Sequence, residues 1–191
     1  MDVRYLRHVP RAEAGKIANQ RAGTGVHRGM ERIRLRPLEP DDGALLQEIF
    51  DQLGPTSRYQ RFLVPKVRLT SADLRQLTSV DHCLHEAVVA LSVPDGRPVG
   101  VARFIRGTQE PDVAEVAVEV VDAWQQHGVG SLLTAALVSR AADLHVRRLA
   151  AVMAQDNAAA ARLLRRIPGE LDRVTGVQGL AEYQVRLRPA C

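Results

Sequence analysis

Gln125-Gln126-His127-Gly128-Val129-Gly130 separates two segments of opposite character. Before it, Ala114-Glu115-Val116-Ala117-Val118-Glu119-Val120-Val121 has the alternation and β-branched content of a strand, and Asp122 and Ala123 lead out of it. After it, Ser131 to Leu144 is rich in Leu and Ala and free of Gly and Pro, as a long helix requires. A strand that feeds a glycine loop opening a helix leaves backbone N–H groups unpaired at the positive end of that helix, an arrangement suited to phosphate.

The glycine spacing excludes two common phosphate sites. A dinucleotide fingerprint needs a third glycine three residues beyond the second, where this chain has Leu133. No Gly-Lys-Ser or Gly-Lys-Thr follows, so a nucleotide-triphosphate loop is unsupported as well.

The flanking segments read as an α/β chain. Ile33 and Leu35 alternate in a first strand ended by Pro37, and a helix starting at Asp41 or Asp42 carries Leu45, Leu46, Ile49 and Phe50. Gly54-Pro55-Thr56-Ser57 breaks it; Ser57 to Phe62 forms a short second helix, and Thr70 or Ser71 caps a third around Leu74 and Leu77. Glu86 to Val93 is almost wholly apolar, as a central strand is, and the turn Pro94-Asp95-Gly96-Arg97 returns the chain as Pro98 to Ile105. Val113 to Val121, a helix over 128–144 and a buried strand from Arg148 to Met153 follow. Asn157 opens a helix ending near Pro168-Gly169, and two β-like runs, Asp172 to Val177 and Ala181 to Leu187, close the chain. Antiparallel strands, a crossover helix and a parallel strand predict a mixed sheet.

Composition narrows the class. The 191 residues are 46% hydrophobic and 25% charged, ordinary for a globule with one substantial core. The net charge of +4 resides in the N-terminal part: residues 1–36 hold nine Lys or Arg against three Asp or Glu, and residues 37–191 hold seventeen against nineteen. A basic extension over 1–30, loose and outside the core, on a near-neutral domain spanning 31–191 gives no dedicated nucleic-acid groove. No apolar run reaches membrane-spanning length, and the N-terminus lacks the apolar core of a secretory signal, so a cytoplasmic location is the expectation. Two cysteines, Cys83 and Cys191, are too few for a disulfide scaffold, and Cys83 is expected to be buried or half-buried. His82 and His85 lie near Asp81 and Glu86 without a recognised zinc spacing, and no metal is expected.

Gln/Arg-x-x-Gly-x-Gly/Ala between a strand and a long helix resembles the coenzyme A pyrophosphate motif of the GCN5-related N-acetyltransferase (GNAT) superfamily, which Gln125 to Gly130 matches in full. The resemblance spans about 31–188. Within the superfamily the chain looks most similar to the catalytic domain of bacterial protein lysine acetyltransferases. The segments carrying that likeness are Ser57 to Phe62, Leu74 to Asp81, Ala114 to Val118, Asp122 to Gln125, and Asn157 with Leu163-Leu164-Arg165-Arg166. It implies a GNAT-type, mostly antiparallel sheet flanked by helices, acting on acetyl-CoA as acyl donor. Pantetheine would pair with main-chain groups around Val118 to Val120. The pyrophosphate would rest on N–H groups of Gln126, His127, Gly128, Val129, Gly130 and Ser131. Asn157 would reach the pantetheine amide or simply cap its helix.

Acyl transfer needs a neutral amine, and a lysine ammonium has a pKa of about 10.4, so a carboxylate base is expected. Glu115, matching the glutamate of the family's Ala-Glu-Val/Phe-Ala strand, is the first choice, with Glu119 on the same strand face as runner-up. The tyrosine that many relatives carry in the helix after Asn157 is missing from 158–167, leaving Tyr183 and Tyr59 as weaker candidate acids. A Cys83 acyl-enzyme has no activating sequence beside it. The expected acceptor is a protein lysine; small-amine acetylation and a non-catalytic coenzyme A sensor are the alternatives. The chain is expected to be a monomer or homodimer, and the roughly 30 residues before the body are expected to be too few for the regulatory domain of many relatives.

Overall fold

A computed structural model describes residues 33–177 and 179–188. The basic extension expected over 1–30, and Cys191, lie outside the described residues.

Seven strands form one sheet in the order β1-β2-β3-β4-β5-β7-β6. β1 (Ile33–Pro37), β2 (His85–Ser92), β3 (Pro98–Arg106) and β4 (Val113–Val120) pair antiparallel in sequence order. β4 then pairs parallel with β5 (Arg148–Ala154) across the helix α4 (Val129–Asp143). β5 pairs antiparallel with β7 (Leu180–Leu187), which pairs with β6 (Gly169–Val177) at the edge. Three helices precede β2: α1 (Gly43–Asp51), α2 (Pro55–Phe62) and α3 (Ser71–Leu77); α5 (Ala158–Leu164) follows β5. The mixed, mostly antiparallel α/β architecture expected from the sequence is the one observed.

The two faces of the sheet are fixed by alternation along β3 and β4. Gly100, Ala102 and Phe104 lie opposite Val120, Val118 and Val116, and cross-strand partners share a face. A Cβ on Gly100 would sit 3.1 Å from Leu133 Cδ1, so this face meets α4. Arg103 and Glu119 point to the other face, where Arg103 donates to the Leu77 carbonyl at the end of α3 and Glu119 pairs with Arg61 of α2. α4 buries Val129, Leu133, Leu137 and Ala141 against β2, β3 and β4.

β2 is buried along its whole length, as its apolar run requires. Its one carboxylate, Glu86, accepts from Arg140 Nε at 2.9 Å and from its neighbour Ala87 N–H at 2.9 Å, and His82 Nδ1 lies 2.8 Å away. A buried charge survives only when so held.

Several boundaries and one burial differ from the sequence reading; α2, for one, starts at Pro55 and not at Ser57, since a proline fits the first position of a helix. α4 starts at Val129 because Gly128, at φ +86°, is the left-handed residue in front of it. α5 stops at Leu164, well short of Pro168: Arg166 N–H turns to Leu163 O and Ile167 N–H to Leu164 O, tightening the chain before the proline. β6 begins at Gly169, because Gly169 to Leu171 already pair with β7. Cys83, expected buried, is exposed, since the Asp81 carboxylate gathers the N–H groups of Cys83, Leu84 and His85 into a tight turn outside the sheet.

Gly100 sets how closely α4 approaches. A Cβ there would also fall 2.8 Å from the Glu119 carbonyl oxygen, which belongs to the backbone and cannot swing aside. Gly100→Ala should therefore destabilise the fold by about 1–3 kcal/mol, read as a lower urea midpoint at unchanged slope.

Candidate active site

β4 and β5 pair only over Val113 to Glu115 against Arg148 to Ala150, and beyond that point no register joins them. Val121 N–H bonds to Val99 O, so the odd-numbered residues of β4 direct their main-chain groups toward β3 and the even-numbered ones toward β5. The Glu115–Ala150 pair still uses the Val116 N–H; past it, the C=O of Val116, the N–H and C=O of Val118 and the N–H of Val120 face an opening rather than a strand. The Val120 carbonyl is taken by the Gln125 side chain at 3.1 Å. A free sheet edge of this kind accepts an extended amide-bearing chain as a short extra strand.

The opening is a cleft of about 590 Å³, walled by Val116 to Val120 on β4, Ala151 to Met153 on β5, the front of α4 and one side of α5. At its far end the chain leaves β4 through a 3-10 turn, Asp122–Trp124, and a loop in which Gln126 has φ +62° and Gly128 φ +86°. Among the described residues, no acceptor takes the N–H groups of Gln126 through Ser131, and α4 has no side-chain cap. Successive unpaired donors at the end of a fifteen-residue helix form an anion cradle. Gly130 faces α5: a Cβ there would stand 3.3 Å from Leu163 Cδ1.

The sequence-predicted residues converge on this cleft with informative exceptions. Val118, Val120, Gln126, Gly128, Gly130, Ser131 and Asn157 line it. Val129 is buried under α4, so only its main chain is available. His127 is exposed beside the cleft, its Nδ1 2.7 Å from the Gln125 carbonyl. Asn157 caps α5, accepting from Ala160 N–H at 3.0 Å through Oδ1 while lining the cleft.

The two glutamates differ. Glu119 lines the cleft, but its side chain is only 8% exposed and Arg61 Nε lies 3.2 Å from its Oε2. Glu115, the first choice from sequence, is exposed and does not line the cleft. It occupies the last register position shared by β4 and β5, on the α2 face, with no hydrogen-bond or ion-pair partner among the described residues. The carboxylate in the wall is thus engaged, and the one at the apex is unengaged.

No tyrosine lines the cleft; Tyr59 is exposed, and Tyr183 lies on β7 opposite Ala151. Among the described residues no cluster of His, Cys, Asp and Glu is arranged to hold a metal ion, and no helix is long and apolar enough to cross a membrane.

Three functional contacts escaped the sequence reading. Arg166 Nη1 donates to Ser131 Oγ at 2.9 Å, bringing a guanidinium to the first turn of α4, and Arg162 lines the same wall. Asp122 accepts from Gly54 N–H and Ser57 Oγ, and Gln125 Nε2 lies within 3.1 Å of Ser57 Oγ, so the motif glutamine ties the loop to α2. Arg103 is buried beside Glu119 and Arg61; burial first, then the Arg61 charge, brings its guanidinium down to about 10. These pairs join residues far apart in sequence; the segments Ser57 to Phe62, Asp122 to Gln125 and Leu163 to Arg166 held most of their members, but nothing local showed which residues meet.

The fold and cleft place the chain in a known class: it belongs to the GNAT acetyltransferases, whose domain matches residues 32–168. It is 32% identical over 137 residues to the acetyltransferase Pat of Mycolicibacterium smegmatis, spanning 72% of this chain and 41% of that protein. It is 30% identical over 129 residues to the acetyltransferase PA5475 of Pseudomonas aeruginosa, spanning 66% of this chain and 69% of that one. Among solved structures, the GNAT domain of S. lividans PAT superposes with TM-score 0.74 at 27% identity, covering 81% of this chain and 90% of that one. The chain thus spans less than half of the M. smegmatis relative.

His85 gives this region a pH dependence. Burial and the neighbouring Arg103 charge hold its imidazole down at about 4, while its Nδ1 lies 2.8 Å from the Ser79 carbonyl and its Nε2 3.2 Å from Arg103 Nη1. Its unfolded value is about 6.5, so the unfolded chain binds the extra proton between those limits. Stability is then full above about pH 6.5 and falls by about 3 kcal/mol as pH drops through about 4. Urea titrations across that range should show the decline, and His85→Gln should flatten it.

Proposed function

We propose that this chain transfers the acetyl group of acetyl-CoA directly to a primary amine, with a protein lysine as acceptor. The observation that carries the reading is the continuity of two donor sets. The unpaired edge of β4 ends at the unpaired N–H groups of Gln126 to Ser131, which suits an amide-bearing arm ending in a diphosphate. Arg166 supplies a positive charge at the diphosphate end.

The acyl end then falls toward the apex, where the strands meet at Glu115 and Ala150. The acceptor enters from the α2 face, which is open enough to leave Tyr59 and Val64 exposed. The ammonium loses its proton through water to Glu115, whose carboxylate has no competing partner. The neutral nitrogen attacks the thioester carbonyl, a C–N bond forms as the C–S bond breaks, and the nitrogen's surplus proton passes through water to the departing coenzyme A thiolate. A thiolate is a stable enough leaving group to depart without an enzymic acid, in keeping with a cleft that no tyrosine lines. Glu119, held by Arg61, shapes the wall instead of taking the proton.

Glu115→Gln should lower kcat for lysine-peptide acetylation by about 10²- to 10⁴-fold with acetyl-CoA affinity retained, measured by turnover and calorimetry in parallel. Equal rates for the variant and the parent chain would remove Glu115 from the reaction. Arg166→Ala should weaken acetyl-CoA binding by about tenfold, the worth of one charge-assisted contact, with little change in kcat. An unchanged Kd would detach that guanidinium from the phosphates.

A further inference from the structure

Arg103 stands in an electrostatically incomplete setting. Its side chain is 3% exposed, and Nη1 is the one guanidinium nitrogen with partners: it donates to the Leu77 carbonyl at 2.7 Å and lies 3.2 Å from His85 Nε2. Among the described residues, Nε and Nη2 are buried with no hydrogen-bond partner. Nearby, Arg61 lines the cleft with its side chain 15% exposed, its Nε 3.2 Å from Glu119 Oε2. His85, buried and neutral, adds no charge. Two guanidinium groups therefore share one carboxylate in a largely water-free place, leaving an excess positive charge behind Ala117 to Glu119; Arg61 brings it to the cleft wall, and Arg103 lies behind that wall. Buried guanidinium groups are retained when an anion completes them, since an uncompensated buried charge is costly. Planar guanidinium donors suit a carboxylate best.

We propose that Arg61, backed by the buried charge of Arg103, forms a carboxylate-binding subsite on the α2 side of the cleft, which selects reactants carrying a carboxylate close to the reacting carbon or amine. The proposal rests on the acyl-transfer reading above and adds a specificity to it. Two sources fit the same chemistry: an acyl donor whose acyl chain ends in a carboxylate, or an acceptor amine with a carboxylate nearby.

Two paired comparisons on the full chain separate the sources. The donor arm compares succinyl-CoA with butyryl-CoA at one common amine; the acceptor arm compares Nα-acetyl-lysine with its carboxamide at a common donor. A preference of about tenfold or more in kcat/KM for the carboxylate-bearing member is expected in one arm, and that arm names the source. Arg61→Gln and Arg103→Met should each reduce the preference to about twofold or less; if Arg103→Met fails to fold by circular dichroism, Arg61→Gln decides. Ratios near one in both arms, or a preference that survives the substitutions, overturn the subsite. Calorimetric Kd ratios for the same pairs, with coenzyme A present in the acceptor arm, give the comparison without turnover. A chain that acetylates no amine would thus refute the proposed reaction while the carboxylate preference is still read.

Discussion

Parallel pairing between β4 and β5 ends at Glu115 and Ala150, and the remaining architecture is arranged around that parting. A sheet that stops pairing exposes main-chain groups which must find other partners or stay open to a ligand. Here one of them, the Val120 carbonyl, is capped by Gln125, while the Val116 carbonyl and both groups of Val118 stay open. α4 follows directly from the parted strand, so its free N–H groups lie at the end of the same cleft. One topological event therefore creates both the amide-pairing edge and the anion cradle.

The elements that hold the cleft open are of a different kind. Gly100 lets α4 close against β3 and β4, and Asp122, Ser57 and Gln125 fix the loop to the start of α2. Glu86, buried between Arg140 and His82, pins the far end of α4 to β2. Glu86 exchanges its own desolvation for a definite geometry, which a site built from main-chain donors requires.

Much of this was legible in the sequence, for physical reasons that also mark where legibility stopped. Gly128 and Gly130 announce a loop opening a helix because spacing and helix propensity are local. The apolar run of β2 and the Thr70 capping box are local as well. Alternation placed Glu115 and Glu119 on one strand face but could not say which is engaged, because that depends on Arg61, 58 residues away in the chain. The Arg166–Ser131 contact and the orphaned donors of Arg103 are likewise tertiary facts. Cys83 was misread because the Asp81 turn overrides the tendency of cysteine to be buried.

Amide hydrogen exchange with and without acetyl-CoA tests the central claim most directly. Slowed exchange confined to two stretches, Val118 to Val120 and Gln126 to Ser131, is the result expected if the parted edge and the start of α4 hold one ligand. Protection elsewhere with those two stretches unchanged would contradict it.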